Sequence, residues 1–259
     1  MNLRTTLLFC SAIILLASSV RAEDAPSASV TLTPSFVSQY MFRGTRLGGP
    51  AFQPTVEVGY GDFGIGIWAS TPIKDKVSGQ SDPEIDPYGY YTFTVNKSLS
   101  VVPGFTWYTY PGAKESDGFY KSTFEPNLAV NYTLPGVDIK LTPKIYYDLI
   151  LKGPTYELSA AYALPLKDLG TEIDFSATAG TFIVKDYIKD ADPDVKNWGN
   201  YYSIGFSVPV ALTKTAKLTW GLAYTKGTSN YLKAGSDPRS ENTAAVGRLV
   251  GTLSLSYSF

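Results

Sequence analysis

Apolar and polar residues alternate with a period of two along most of the chain, in about twelve segments. Successive side chains of a strand point to opposite faces, so each segment predicts a strand with one apolar and one polar side. Strand one is expected over about Ser29–Phe42, with Val30, Leu32, Phe36, Tyr40 and Phe42 opposed to Thr31, Thr33, Ser35 and Gln39. Strands two (about Phe52–Tyr60) and three (about Phe63–Ser70) follow at once. Strand six, about Tyr120–Tyr132, sets Phe124, Leu128, Val130 and Tyr132 against Lys121, Thr123, Glu125, Asn127 and Asn131. Strand seven, about Val137–Leu149, sets Ile139, Leu141, Ile145, Tyr147 and Leu149 against Asp138, Lys140, Thr142, Lys144 and Asp148. Looser alternation predicts strands at about Glu84–Val95, Leu99–Tyr110, Tyr156–Leu164, Thr171–Ile183, Tyr201–Val210 and Ala216–Thr225. The last strand carries Leu249, Leu253, Leu255, Tyr257 and Phe259 on one face and Arg248, Thr252, Ser254, Ser256 and Ser258 on the other.

Connections alternate in length. Gly61-Asp62, Asn96–Ser98, Leu134–Gly136, Pro165–Gly170 and Ala211–Thr215 are short, whereas Arg43–Ala51, Thr71–Pro83, Pro111–Phe119, Val184–Asn200 and Lys226–Thr243 are longer. Leu151–Pro154 is the exception. Short turns at one end and long loops at the other characterise a transmembrane barrel, with the turns periplasmic. The expected fold is therefore all-β: a closed antiparallel transmembrane β-barrel of about twelve strands spanning residues 23–259.

A soluble barrel alternates too, but turns its apolar side chains inward. Two features favour the inverse here. The polar faces are rich in Ser, Thr and Gly with scattered charges, which suits a wet lumen. The apolar faces carry aromatics near strand ends: Tyr60, Phe63, Tyr132, Tyr162, Tyr257 and Phe259 at the turn side, and Phe42, Phe52, Trp107, Tyr120, Tyr147, Tyr156, Tyr202 and Tyr224 at the loop side. Such residues form the girdles at the two membrane interfaces.

The first 22 residues fit a cleaved signal peptide, with Arg4 in the charged region, an apolar stretch over Thr5–Ala17, and a small residue closing Val20-Arg21-Ala22. The apolar stretch is shorter than the about 20 residues a membrane-spanning helix needs. A lipoprotein reading would use Cys10, but that cysteine sits inside the apolar stretch. Removing the segment leaves no thiol, and takes the 22 basic residues to 20 against 23 acidic. That near balance excludes nucleic acid as a partner, which would need a concentrated basic surface. The expected location is the outer membrane of a Gram-negative bacterium, with the lipid bilayer, the outer-membrane assembly machinery and small polar solutes or ions as partners.

The chain has no histidine. This removes the usual general base for activating serine or water near neutral pH, so an enzyme is not expected. Paired carboxylates could do acid–base work at Glu84 with Asp86 or at Glu172 with Asp174, but spacing by two also describes a charged pore wall. Asp190, Asp192 and Asp194 could offer oxygens to Ca²⁺, but Pro193 interrupts them and the turn glycine is absent. No metal and no cofactor is expected. Arg43, ahead of Gly44, is either an interface anchor or an arginine at the pore mouth.

Inward parity collects Arg43, Lys121, Lys140, Lys144, Lys217 and Arg248 among the bases. Among the acids it collects Glu57, Glu84, Asp86, Glu125, Asp138, Asp148, Glu157, Glu172 and Asp174. Trp68, Tyr88, Tyr90, Tyr108, Tyr110, Tyr146 and Tyr201 share that parity and should narrow the lumen. The expected function is passive diffusion of ions or small polar solutes, with weak cation preference. The alternative is a filled or plugged barrel with a structural, adhesive or ligand-binding role through its extracellular loops.

Four stretches, Val37–Gly44, Trp68-Ala69-Ser70, Glu84–Tyr90 and Tyr108–Gly112, resemble in order and spacing the TorF-type family of porins, which are exported and largely uncharacterised. The resemblance covers about residues 36–132 and implies a porin without implying a substrate. The run Leu253–Phe259 looks like the assembly signal of outer-membrane barrels, in which Tyr257 and Phe259 supply the aromatic end.

Overall fold

In the computed structural model the residues described are 27–76, 82–114, 121–185, 196–227 and 247–259. The expected signal segment, Tyr120, and Asp190, Asp192 and Asp194 lie outside them.

Strands β1 (Ala28–Thr33) and β2 (Ser35–Val37) form one broken wall strand. Pro34 between them has no N–H to give the ladder. A separate two-stranded piece follows, β3 (Tyr40–Phe42) with β4 (Thr45–Gly48). The second wall strand is β5 (Ala51–Phe52) with β6 (Thr55–Tyr60) and the third is β7 (Phe63–Pro72). The fourth joins β8 (Glu84–Tyr91) and β9 (Phe93–Asn96). Next come β10 (Leu99–Thr109), β11 (Ser122–Thr133), β12 (Lys140–Asp148) and β13 (Gly153–Leu166). The wall ends with β14 (Thr171–Lys185), β15 (Lys196–Ala211), β16 (Ala216–Gly227) and β17 (Arg248–Ser258). Each wall strand pairs antiparallel with the next, and β17 closes on the first, with Tyr257 opposite Leu32 and Leu253 opposite Phe36. The result is a closed antiparallel barrel of twelve wall strands. Closure leaves no sheet edge, the condition for strands in hydrocarbon.

The barrel is inside out. On β11, Leu128 is 43% exposed whereas Glu125 is 1% exposed. Ile65, Ile67, Leu158, Ile204, Trp220 and Leu253 likewise face outward, while the largest fully buried side chains are Glu125 and Thr155. Water as the outer solvent would select the opposite arrangement; an apolar belt around a polar interior is that of a transmembrane barrel. Among the described residues no helix is long and apolar enough to cross a membrane. Along the closing seam, inward hydroxyls pair across it: Thr31 with Ser258 at 3.1 Å, Thr33 with Ser256 at 3.3 Å and Ser35 with Ser254 at 2.9 Å.

The structure corrects two expectations. Strand one does not run unbroken to Phe42. Ser38 exchanges bonds with Gly251, and a bend at Ser38-Gln39 takes the chain off the wall. Tyr40 and Phe42 therefore face the lumen and not lipid, since parity carries through a strand but not through a bend. Strand seven begins at Lys140, so Asp138 is not a wall residue. The turn runs on from Leu134, whose carbonyl accepts from Asp138 N–H at 3.2 Å, and Asp138 adopts φ 54°, a conformation that Asp tolerates better than most residues.

Candidate functional site

The hairpin of β3 and β4 crosses the lumen. Its two turn residues, Arg43 (φ 47°) and Gly44 (φ 75°), both have positive φ, as a type I′ turn requires. Its base belongs to the first and second wall strands, with Tyr40 N–H donating to Gly49 O at 3.2 Å. Its tip reaches β11 and β12, the sixth and seventh wall strands, which lie across the ring from that base. The Arg43 guanidinium donates to both Glu125 oxygens, each at 2.8 Å, with Arg43 13% and Glu125 1% exposed. Its Cζ lies 4.6 Å from the Tyr146 ring centroid and 4.7 Å from that of Phe42. Such a fork on a carboxylate, backed by ring faces, is a strong arrangement because little water reaches it. Arg43 thus faces the lumen and not the membrane interface, and it ties the hairpin tip to Glu125, next to the Trp107–Phe124 pair on the loop side.

Tyrosines supply most of the hydrogen bonds to the inner carboxylates. Glu84 accepts from Tyr40 at 2.8 Å and Tyr110 at 3.2 Å. Glu125 also accepts from Tyr108 at 3.0 Å, and Phe42 meets the Tyr108 ring edge at 5.7 Å. Glu57 accepts from Tyr88 at 2.6 Å and Tyr90 at 3.0 Å. Glu157 accepts from Tyr201 at 2.7 Å and Tyr146 at 3.3 Å. Trp68 packs against Tyr40 at 5.6 Å, and Asp86 accepts from Thr109 N–H at 3.2 Å. A hydroxyl donor satisfies one lone pair of a carboxyl group, so these tyrosines let the interior hold acidic groups without a base beside each one.

The remaining expected residues occupy less concentrated positions. Lys144 lies over the Tyr146 ring at 4.6 Å, opposite Glu157 in register. Asp148 is 4% exposed and caps its own turn, accepting from Ile150 and Leu151 N–H at 2.8 Å each. Lys121 precedes β11 and is exposed. Glu172 and Asp174 lie on β14 towards the short turns, away from the hairpin. Arg248 opens β17, and its Nε has no partner among the described residues. Tyr257 and Phe259 meet edge to face at 4.6 Å, with Phe259 66% exposed. Sequence reasoning missed that Tyr40 and Phe42 belong to the site. A signal was present: Arg43-Gly44 between two short alternating runs reads as a two-residue hairpin turn.

Closed wall, apolar belt and polar lumen define a transmembrane β-barrel of the outer-membrane kind. Residues 21–179, more than half of the chain, match the family described as "Bacterial protein of unknown function (Gcw_chp)", and the chain belongs to that family. That span contains all four stretches that resemble TorF-type porins, and the family description it matches does not carry that name. No curated protein matches the chain. Among solved structures it is similar to the NanC porin in its rhombohedral crystal form, with TM-score 0.54, 8% identity, and coverage of 88% of this chain and 98% of that one. It is also similar to the KdgM porin, with TM-score 0.51, 11% identity, and coverage of 89% and 99%. A KdgM porin in complex with disordered oligogalacturonate gives TM-score 0.50, 10% identity, and the same two coverages, 89% and 99%. At such identities the likeness is one of fold.

Proposed function

We propose that this chain is a narrow porin-like channel of the Gram-negative outer membrane, of the TorF type, exported by way of residues 1–22 and passing ions and small polar solutes with a preference for cations. The observation that carries the reading is the charge of the lumen wall. Glu57, Glu84, Asp86, Glu125, Asp148, Glu157, Glu172 and Asp174 have inward register, against Arg43, Lys140, Lys144, Lys217 and Arg248. Acidic excess in a low-dielectric tube raises the local cation concentration. With no histidine in the chain, we read the inner carboxylates as wall charges. The hairpin favours a second reading, a barrel kept closed, because its tip is held by Arg43 and Glu125 on the far wall.

Purified protein in a planar bilayer separates the two. The channel reading expects small, discrete conductance steps and a cation-selective reversal potential in a salt gradient. Glu84→Gln with Asp86→Asn should move that potential towards anions. Folded protein that stays silent, both as wild type and with Arg43→Ala, would reject the channel and leave the filled barrel.

A further inference from the structure

The contacts around Arg43 divide into an occupant and a receptor. The receptor belongs wholly to the wall. Glu125 on β11 presents both oxygens to one guanidinium and is oriented by Tyr108 on β10 at 3.0 Å. Tyr146 on β12 lays its ring 4.6 Å from the guanidinium carbon, and Glu157 holds its hydroxyl at 3.3 Å. Glu157 is held in turn by Tyr201 at 2.7 Å. A planar cation with two parallel donors fits a carboxylate fork and an aromatic face together; an ammonium matches only the charge.

The occupant is attached differently. β3 and β4 form a sheet of their own that shares no ladder with the wall. Arg43 itself has φ 47°, a conformation set by the two-residue turn of that hairpin and not by the wall. The receptor is therefore continuous with the barrel, and its ligand sits on a separable arm.

We infer that Glu125, Tyr108 and Tyr146 form a binding site for small solutes bearing a guanidinium group, and that Arg43 occupies it as a built-in surrogate. A guanidinium solute entering the lumen competes with Arg43 for Glu125, and the hairpin swings off the far wall as it binds. The inference deepens the channel reading and rests on it for the solute's route, but binding can be read without conductance.

The test uses the full barrel in detergent micelles, with agmatine as the guanidinium probe and putrescine as the diamine control. In Arg43→Ala the site is vacated. Millimolar agmatine should then raise its melting temperature by about 3 °C, with little response to putrescine. Adding Glu125→Gln should abolish the rise. Wild type should need at least about tenfold more agmatine, because tethered Arg43 competes at an effective concentration of order millimolar. If Arg43→Ala does not assemble, Arg43→Lys takes its place, since it vacates the fork while keeping a charge. Equal responses to agmatine and putrescine, a rise that survives Glu125→Gln, or no rise in either vacated variant would each overturn the site. A melting response from a barrel that never conducts would keep the site and reject the channel, so the two failures are distinguishable.

Discussion

Two parts of the lumen wall are built alike and used differently. On β6, β7 and β8, Glu57 stands opposite Gly66 and Gly66 opposite Tyr88. On β13, β14 and β15, Glu157 stands opposite Gly180 and Gly180 opposite Tyr201. In each case the glycine leaves space into which the tyrosine ring lies down. A Cβ on Gly66 would come within 2.5 Å of Tyr88 Cζ, and one on Gly180 within 2.3 Å of Tyr201 Cζ. The hydroxyl thereby crosses the middle strand and reaches the carboxylate beyond, at 2.6 Å in the first triplet and 2.7 Å in the second. The difference is the neighbour. Glu57 takes its second bond from Tyr90, another wall tyrosine, at 3.0 Å. Glu157 takes its second from Tyr146, which carries the Arg43 guanidinium, and Gly44 lies against Tyr201. One triplet only braces the wall; the other also braces the landing place of the hairpin.

The comparison breaks most visibly at Gly44. A Cβ there would lie 2.5 Å from Gly227 Cα and 2.8 Å from Tyr201 Cβ, at φ 75°. Gly44→Val should penalise the docked hairpin by about 1–3 kcal/mol from backbone strain alone. Conductance in planar bilayers should rise to match Arg43→Ala, with barrel assembly intact. A Gly44→Val channel indistinguishable from wild type would remove Tyr201 from the landing place.

Filling the middle strand tests both triplets at once. Gly66→Val and Gly180→Val should each push a tyrosine ring off the wall and cost about 1–3 kcal/mol, read by urea unfolding from lipid vesicles. Gly180→Val should raise conductance by loosening the hairpin, whereas Gly66→Val, which only moves the Tyr88 ring into the lumen, should not raise it. Similar conductance changes in both would mean that the triplets are equivalent.

The smallest expected effect comes from the hydroxyls. Tyr201→Phe leaves Glu157 with the longer bond from Tyr146, at 3.3 Å, and should cost about 0.5–1.5 kcal/mol, the net range for one hydrogen bond whose acceptor keeps a second donor. Tyr88→Phe should cost less, because Tyr90 still serves Glu57 at 3.0 Å. The same unfolding assay orders the two, and a larger loss for Tyr88→Phe would reverse the assignment of which carboxylate has the weaker second bond.

Much of this wall was legible in the chain. Period-two alternation placed Glu57, Tyr88, Glu157 and Tyr201 on one face and Leu128, Ile145 and Leu253 on the other, and short turns against long loops ordered the strands. What alternation determines is local: a side chain's face follows from its own strand's pleat, whichever strand lies beside it. The bend at Ser38-Gln39 was beyond it, because parity restarts when the chain leaves the ladder, and with it went the places of Tyr40, Phe42 and Arg43. So too were the pairings. Arg43 and Glu125 are 82 residues apart, and Tyr201 and Glu157 are 44 apart. The sequence by itself thus determined the strands and their lipid and lumen faces, since these depend on spacing along the chain. Only the tertiary structure decided which tyrosine serves which carboxylate and that the first loop turns inward, because register and closure around the ring set those distances.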